Sequence, residues 1–131
     1  AGADIADAVE QTVSGEEPVT EEPEVTENVL YFKPHANWTQ AGARFAAYFF
    51  GDGDAWVGMT DEDGDGVYEA HIPVGGYTSV IFCRMNPSAA ANNWDNKWNQ
   101  TGDLAIPTDG NNLYTLTGGE WDGVTGTWST K

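Results

Sequence analysis

The sequence predicts an all-β fold, an antiparallel β-sandwich of immunoglobulin-like form with seven to eight short strands. From Val29 onward, short runs rich in β-branched and aromatic residues alternate with clusters of Gly, Asn, Asp and Pro. The clusters "GDGD", "TDEDGDG", "PVGG" and "PTDG" have the composition of tight turns. No segment in this part of the chain has an apolar period of helical length. Many short strands within about 100 residues are typical of a sandwich.

Each strand is placed by an apolar or alternating run between two turn clusters. The first two runs are "VLYFK" and "ARFAAYFF", and the last is "GTWS". The segment 92–100 is rich in Asn and carries no such run, so we expect a loop there. The predicted strands cover residues 29–33, 43–50, 55–59, 67–72, 77–85, 103–106, 111–117 and 126–129.

Residues 1–28 are predicted to form an acidic N-terminal tail, and residues 29–131 are predicted to form the folded domain. The tail carries nine acidic residues and no basic one, whereas all sixteen aromatic residues follow it. Its stretch "SGEEPVTEEPEVTEN" has linker composition, because proline opposes regular structure and like charges extend a chain. Ahead of the linker, Ile5, Val9 and Val13 have helical spacing, which predicts a short helix that is marginal unless it packs on a neighbour.

The net charge of −16 argues against several classes of partner. The five basic residues are scattered, so they form no positive surface for a phosphate backbone or an anionic lipid headgroup. No apolar run approaches the roughly 18 residues that a membrane-spanning helix needs. We therefore expect neither nucleic-acid binding nor membrane insertion. The single cysteine, Cys83 in "SVIFCRM", cannot form an internal disulfide and is interpreted as a buried core residue.

The second and third predicted strands are expected to form a hairpin that presents aromatic side chains. Alternation puts Tyr48 on the same face as Arg44, which we interpret as the outward face. Trp56 joins that face if it pairs with Phe50, and Tyr48 with Gly58, across a five-residue turn or a bulge. A plain four-residue turn would reverse Trp56 to the other face. Small residues beside these rings would leave room for a flat ligand.

The segment "NNWDNKWNQTGDL" places two tryptophans four residues apart among amide and charged side chains. A pyranose has an apolar C–H face that packs on an aromatic ring, and its hydroxyls need the donors and acceptors that Asn, Gln and Lys supply. The segment therefore predicts one wall of a sugar site, in which Trp94 stacks on the sugar and Trp98 turns toward the sheet as an anchor. Alternatively, both rings cap the edge of the sandwich. The candidate sugar-binding residues of this wall are Asn93, Trp94, Asn96, Lys97, Trp98 and Gln100.

Five segments in order carry a resemblance to a known family: "VLYFKPHANW", "ARFAAYFFGDGDAWVGM", "DGDGVYEAHIP", "VIFCRMNP" and "NKWNQTGDLAIPTDGNNLYTL". Over about residues 29–131, the chain resembles the starch-binding family 26 carbohydrate-binding modules and their relatives, which are attached to amylases and starch-adhesion proteins of gut Firmicutes. The resemblance implies that Tyr48 and Trp56 stack on the curved face of an α-1,4-glucan. It also implies that a polar side chain of the 92–100 loop adds hydrogen bonds.

The same resemblance implies the partners and the location of the protein. Starch, as amylose or amylopectin, and maltooligosaccharides are the expected ligands, and binding is expected to occur without catalysis. The chain lacks an initial methionine and a signal-peptide pattern, so we interpret it as a segment of a larger protein. That protein is expected to be bacterial, secreted or attached to the cell surface, and to carry further modules tethered to this one.

The turn "TDEDGDGVYE" resembles part of a calcium-binding loop, with Asp61, Asp63 and Asp65 at its first, third and fifth positions. Position twelve is Ile72 instead of the bidentate Glu, so the EF-hand assignment fails. Two interpretations stay open, a solvated acidic turn and an oxygen-rich turn that holds calcium in a structural role. We expect no other cofactor.

Two alternative functions remain at this point. One is an immunoglobulin-like adhesion or scaffold module that uses the aromatic face to bind another protein. The other is a small glycoside hydrolase, because the chain has carboxylates in plenty for a hydrolytic pair. Against catalysis, the sequence has no Gly-x-Ser-x-Gly elbow. A domain of this size also offers a shallow face more readily than an enclosed cleft.

Overall fold

The computed structural model describes residues 25–131, and strands are its main regular elements. Two short 3₁₀ helices accompany them, at Ala36–Gly42 and at Trp94–Asn96. The eight strands are β1 (Val25–Lys33), β2 (Arg44–Gly58), β3 (Tyr68–Pro73), β4 (Gly76–Met85), β5 (Lys97–Gln100), β6 (Leu104–Ala105), β7 (Leu113–Leu116) and β8 (Gly126–Ser129).

The strands form two sheets that pack together. The first sheet has the order β3-β1-β7-β8, and the second has the order β2-β4-β5, with β6 also pairing with β4. Paired strands are antiparallel except β1 and β7, which are parallel. The predicted all-β sandwich is confirmed, and its one parallel pair departs from the antiparallel expectation.

Aromatic side chains from both sheets meet in the core between them. Phe32 of β1 and Phe82 of β4 are both fully buried, and their rings stack with centroids 4.7 Å apart. Phe45 of β2 and Trp38 of the first 3₁₀ helix pack beside them, with centroids 6.4 Å apart. Because burial of one large apolar side chain contributes about 1.5–3 kcal/mol, this cluster supplies much of the force that holds the two sheets together.

Strand β2 contains the predicted hairpin, because the chain bends back on itself at "GDGD", where both glycines have positive φ. The backbone N–H of Met59 donates to the carbonyl oxygen of Phe45 at 3.0 Å. The prediction paired Tyr48 with Gly58. This hydrogen bond, together with a distance of 5.0 Å between the ring centroids of Tyr48 and Trp56, indicates that Tyr48 instead lies opposite Trp56. A shift of two residues leaves each side chain on its face, so the prediction that Tyr48 and Trp56 share a face is confirmed.

Three features differ from the sequence-based expectation. Strand β1 begins at Val25, inside the predicted tail of residues 1–28. Strand β5 lies within the predicted 92–100 loop, and the 3₁₀ helix Ala36–Gly42 has no counterpart among the predicted elements. This helix buries Trp38 completely, so it closes one side of the core. The predicted helix at residues 5–13 and the remainder of the tail lie outside the described residues.

Candidate functional site

Three aromatic rings lie together on the outer side of the second sheet. Tyr48 and Trp56 come from the two arms of β2, and Trp94 comes from the second 3₁₀ helix. The centroid of Trp94 is 4.7 Å from that of Tyr48 and 4.8 Å from that of Trp56, with interplanar angles of 63° and 69°. Trp94 is 44% exposed, whereas the other two rings are half-buried. We call these three residues the aromatic face.

The aromatic face rests on a second, smaller apolar cluster. Ala46, Ile81, Cys83 and Met85 are buried on the outer side of the sheet, with Tyr48 and its neighbours packed against them. Burial raises the pKa of the Cys83 thiol to about 12, which agrees with its prediction as a core residue. The rings of Tyr48 and Trp56 therefore pack on a buried apolar layer of the sheet.

The segment between β4 and Trp94 is fixed by one arginine. The guanidinium of Arg44 donates from Nε to the carbonyl oxygens of Asn86 and Ala89 at 3.1 and 2.7 Å. Its Nη2 donates to the carbonyl oxygen of Ala91 at 2.6 Å, and its Nη1 donates to Oδ1 of Asn92 at 2.5 Å. The sequence marked Arg44 only as an outward residue. In the structure it holds residues 86–92 over the sheet and so positions Trp94 beside Tyr48.

Two of the candidate amides serve the loop itself. The Oδ1 of Asn93 accepts a hydrogen bond from the backbone N–H of Asn96 at 2.8 Å and so caps the 3₁₀ helix. The Nδ2 of Asn96 donates to the carbonyl oxygen of Ala91 at 3.0 Å. Local side-chain bonds of this kind explain why an Asn-rich run forms a defined turn. The Oδ1 of Asn93 and the Nδ2 of Asn96 are therefore already hydrogen-bonded within the loop.

Lys97 and Gln100 provide polar groups beside the aromatic face. The Nζ of Lys97 lies 5.4 Å from the ring centroid of Trp94, within the range of a cation–π contact. The same Nζ donates to Oε1 of Gln100 at 2.5 Å. Both side chains are half-buried and belong to β5, so the sheet itself positions them.

Asp54 is a polar neighbour of the aromatic face that the sequence-based interpretation missed. The phenol of Tyr48 donates to Oδ2 of Asp54 at 2.8 Å. This hydrogen bond, together with burial, raises the pKa of the Tyr48 phenol from its ordinary value. Because Asp54 belongs to the turn "GDGD", composition alone explained it as a turn residue. A turn was predicted here, but in a register two residues away from the one that brings Asp54 within reach of Tyr48.

The two tryptophans of the predicted wall lie on different surfaces. Trp94 joins the aromatic face, but Trp98 contacts Arg84, with the guanidinium carbon 4.8 Å from its ring centroid. A bulge in the β4–β5 pairing separates them, since Met85 pairs with Lys97 and Arg84 pairs with Asn99. Trp98 is 40% exposed, so the prediction that it is a buried anchor is wrong.

The three acidic residues of the predicted calcium turn lie close together. Carboxylate oxygens of Asp61, Asp63 and Asp65 all fall within 4.8 Å of one another. Backbone N–H groups of Asp65 and Gly66 donate to the two oxygens of Asp61 at 3.1 and 2.9 Å. A backbone hydrogen bond from Val67 is the main cause that lowers the pKa of Asp65. The turn is thus held by its own hydrogen bonds, and its two interpretations, a solvated acidic turn and a structural calcium turn, both stay hypotheses.

One groove lies away from the aromatic face. It has a volume of about 580 Å³ and is lined by residues of β1 and of the segment after β6, among them Tyr31, Ile106 and Asn112. None of the predicted sugar-binding residues lines it.

Comparison with known proteins adds no assignment. No family model, curated protein or solved structure matches this chain. Within residues 25–131, no helix combines the length and the apolar character that a membrane crossing requires.

Proposed function

We propose that this chain is a non-catalytic module that binds α-1,4-glucans such as starch and maltooligosaccharides. The observation that carries the proposal is the aromatic face. Its three ring centroids lie within 5.0 Å of one another, and Lys97 and Gln100 lie beside them. Rings of this kind pack on the C–H faces of sugars, while an ammonium and an amide reach the hydroxyls. The module would bring a larger secreted or cell-surface protein to starch, and linkage to other modules would increase its avidity.

The angles between the rings favour a curved glucan. Tyr48 and Trp56 are inclined at 51°, and Trp94 is inclined at more than 60° to both. A flat, extended β-1,4-linked chain needs coplanar rings to stack on successive sugars. Because successive glucoses in an α-1,4-linked chain turn relative to one another, inclined rings can each meet a sugar face.

Calorimetric titration with maltooligosaccharides of increasing length tests the proposal, with cellooligosaccharides as the control ligands. We expect binding that strengthens with length until the face is covered, and no heat from the cellulose series. Trp94→Ala should lower the affinity by roughly tenfold or more, as the loss of an exposed interface anchor does. Its stability should change little, because the ring is 44% exposed.

Tyr31→Ala is the matched control for Tyr48→Ala. Tyr31 lies between the inward-facing Leu30 and Phe32 of β1, so it is an outward aromatic residue of the other sheet. Tyr31→Ala should bind as the unmodified chain does, whereas Tyr48→Ala should bind poorly. Equal affinity of the Tyr48 and Tyr31 variants, or no binding of any maltooligosaccharide by the unmodified chain, would contradict the proposal.

A further inference from the structure

A second pair of exposed tryptophans lies at one edge of the sandwich. Trp98 of β5 and Trp121 of the β7–β8 connection are 40% and 44% exposed. The guanidinium carbon of Arg84 lies 4.8 Å from the ring centroid of Trp98 and 5.0 Å from that of Trp121. One arginine therefore lies against both rings. We call Trp98, Arg84 and Trp121 the edge stack.

The edge stack is separate from the aromatic face. Arg84 pairs with the inward-facing Phe45 in the β2–β4 ladder, whereas Tyr48 pairs with Ile81 and projects to the outer side. Alternation along β4 therefore sends Arg84 to the side of the sheet opposite the aromatic face. No ring contact links Trp98 or Trp121 to the aromatic face in the described part of the chain.

The charge of Arg84 is already engaged within the protein. Its Nε and Nη2 donate to the carbonyl oxygens of Trp38 and Gln40, both at 2.9 Å. Its Nη1 donates to Oδ1 of Asn99 at 3.1 Å, and the side chain is only 7% exposed. An anionic ligand would therefore find little of the guanidinium to bind. What the edge stack offers to solvent is ring surface.

Polar groups surround that ring surface. The Nδ2 of Asn99 donates to Oδ2 of Asp122 at 3.3 Å, and the backbone N–H of Gln100 donates to the other oxygen at 3.1 Å. The backbone N–H of Gly123 returns a bond to the carbonyl oxygen of Gln100 at 3.0 Å. These bonds fix the Trp121 segment against β5. Rigid rings with amide and carboxylate groups around them suit a neutral sugar, which has a C–H face and hydroxyls. They suit an apolar protein surface less well.

We propose that the edge stack is a second sugar-binding site, which contacts the same α-glucan class as the aromatic face. This proposal rests on the proposed function for the class of ligand, although the site itself is independent. Two sites on one small domain can bind two stretches of a long chain or two chains of a granule. Effective concentration then raises the avidity for polymeric starch over that for a short oligosaccharide.

Nuclear magnetic resonance of the indole N–H groups tests the proposal on the unmodified chain, and variants serve only to assign the signals. The chain has six tryptophans and therefore six signals, each assigned by one Trp→Phe substitution. Maltoheptaose is added stepwise, with cellohexaose as the control sugar. We expect the signals of Trp98 and Trp121 to shift with their own saturation curve. The control signal is that of Trp128, which packs against Tyr114 and Phe82 and should stay in place.

The possible results separate the two proposals. Shifts of Trp56 and Trp94 alone would overturn the second site and leave the proposed function intact. Shifts of Trp98 and Trp121 alone would support the second site and contradict the aromatic face. No shift at any tryptophan would overturn both proposals, and shifts of both sets support both. A shift of every signal with one common curve would overturn the independence of the edge stack.

Trp121→Ala extends the test to polymeric starch. We expect it to retain the maltoheptaose shift at Trp94 and to lose retention on granular starch by about tenfold, because one of two linked contacts is gone. Trp98→Phe keeps an aromatic ring over Arg84 and should retain most of the binding. Granule retention equal to that of the unmodified chain in Trp121→Ala would mean that the rings serve only to cover Arg84, and the proposal would be wrong.

Discussion

Replacement of Arg44 by methionine tests whether this one side chain holds residues 86–92 in place and so positions Trp94. The substitution removes four hydrogen bonds, to the carbonyl oxygens of residues 86, 89 and 91 and to the amide of residue 92. Bonds to a charged group contribute about 1.5–3 kcal/mol each, but the segment can open locally while the sandwich stays folded. We therefore expect global stability to fall by only about 2 kcal/mol, far less than four bonds would suggest. In a domain of this size that corresponds to a decrease of roughly 8 °C in melting temperature.

The affinity for maltoheptaose should respond more strongly than the stability does. Without Arg44, the segment before Trp94 must be ordered when the sugar binds, and ordering costs about 1–2 kcal/mol for each residue that becomes fixed. Even one such residue lowers the affinity by roughly tenfold. The assays are thermal unfolding and calorimetric titration of Arg44→Met, with Lys33→Met as the control that removes an exposed cation from the other sheet. Arg44→Lys should fall between them, because an ammonium lacks the fork of donors. Unchanged affinity in Arg44→Met, with the Trp94 indole signal in its original position, would refute the assigned role.

Three further predictions concern catalysis, calcium and the buried thiol. Prolonged incubation with starch should leave the number of reducing ends constant, and a rise proportional to protein concentration would contradict binding without cleavage. A chelator should leave maltoheptaose affinity unchanged, because Asp61, Asp63 and Asp65 are absent from the aromatic face; loss of affinity that calcium restores would overturn this. Burial raises the pKa of the Cys83 thiol to about 12, so its reactive thiolate is scarce at pH 8 and a thiol reagent should react only as the domain unfolds. Rapid labelling of the folded protein would show that the apolar cluster around Cys83 is open to solvent.

The fold was predictable because its signals are local. Alternation and turn composition placed most strands within a few residues, since each strand of the sandwich has one buried face. Strand β5 was missed because its four residues, "KWNQ", include no β-branched residue. The 3₁₀ helix Ala36–Gly42 was missed for a related reason. Its place is fixed by the burial of Trp38 against distant strands, which spacing along the chain does not reveal.

The site was only partly predictable. A shift of two residues in the pairing of the two arms leaves Tyr48 and Trp56 on the same face. The error in the predicted register therefore did not change the predicted face. Placing Trp94 and Trp98 on separate surfaces would have required knowledge of the bulge after Lys97. That bulge directs adjacent side chains to different surfaces. The sequence gives no local sign of that bulge. The guanidinium that Trp98 contacts is held by the carbonyl oxygens of Trp38 and Gln40, which lie more than 40 residues away from Arg84 in the sequence.

The two arginines of the chain have the same role at the two aromatic surfaces. Each guanidinium donates to backbone carbonyl oxygens and to an Asn side chain, and neither forms an ion pair with a carboxylate within residues 25–131, although acidic residues are abundant there. An arginine that pairs with a carboxylate would stay at the acidic surface. One whose donors are bound to carbonyl oxygens instead fixes a loop and presents no free charge. Arg44 fixes the segment that precedes Trp94, and Arg84 lies against both Trp98 and Trp121. Neither surface therefore presents a free guanidinium to an anionic ligand. What both surfaces offer is rigid rings beside polar groups, the combination on which the two sugar-binding proposals rest.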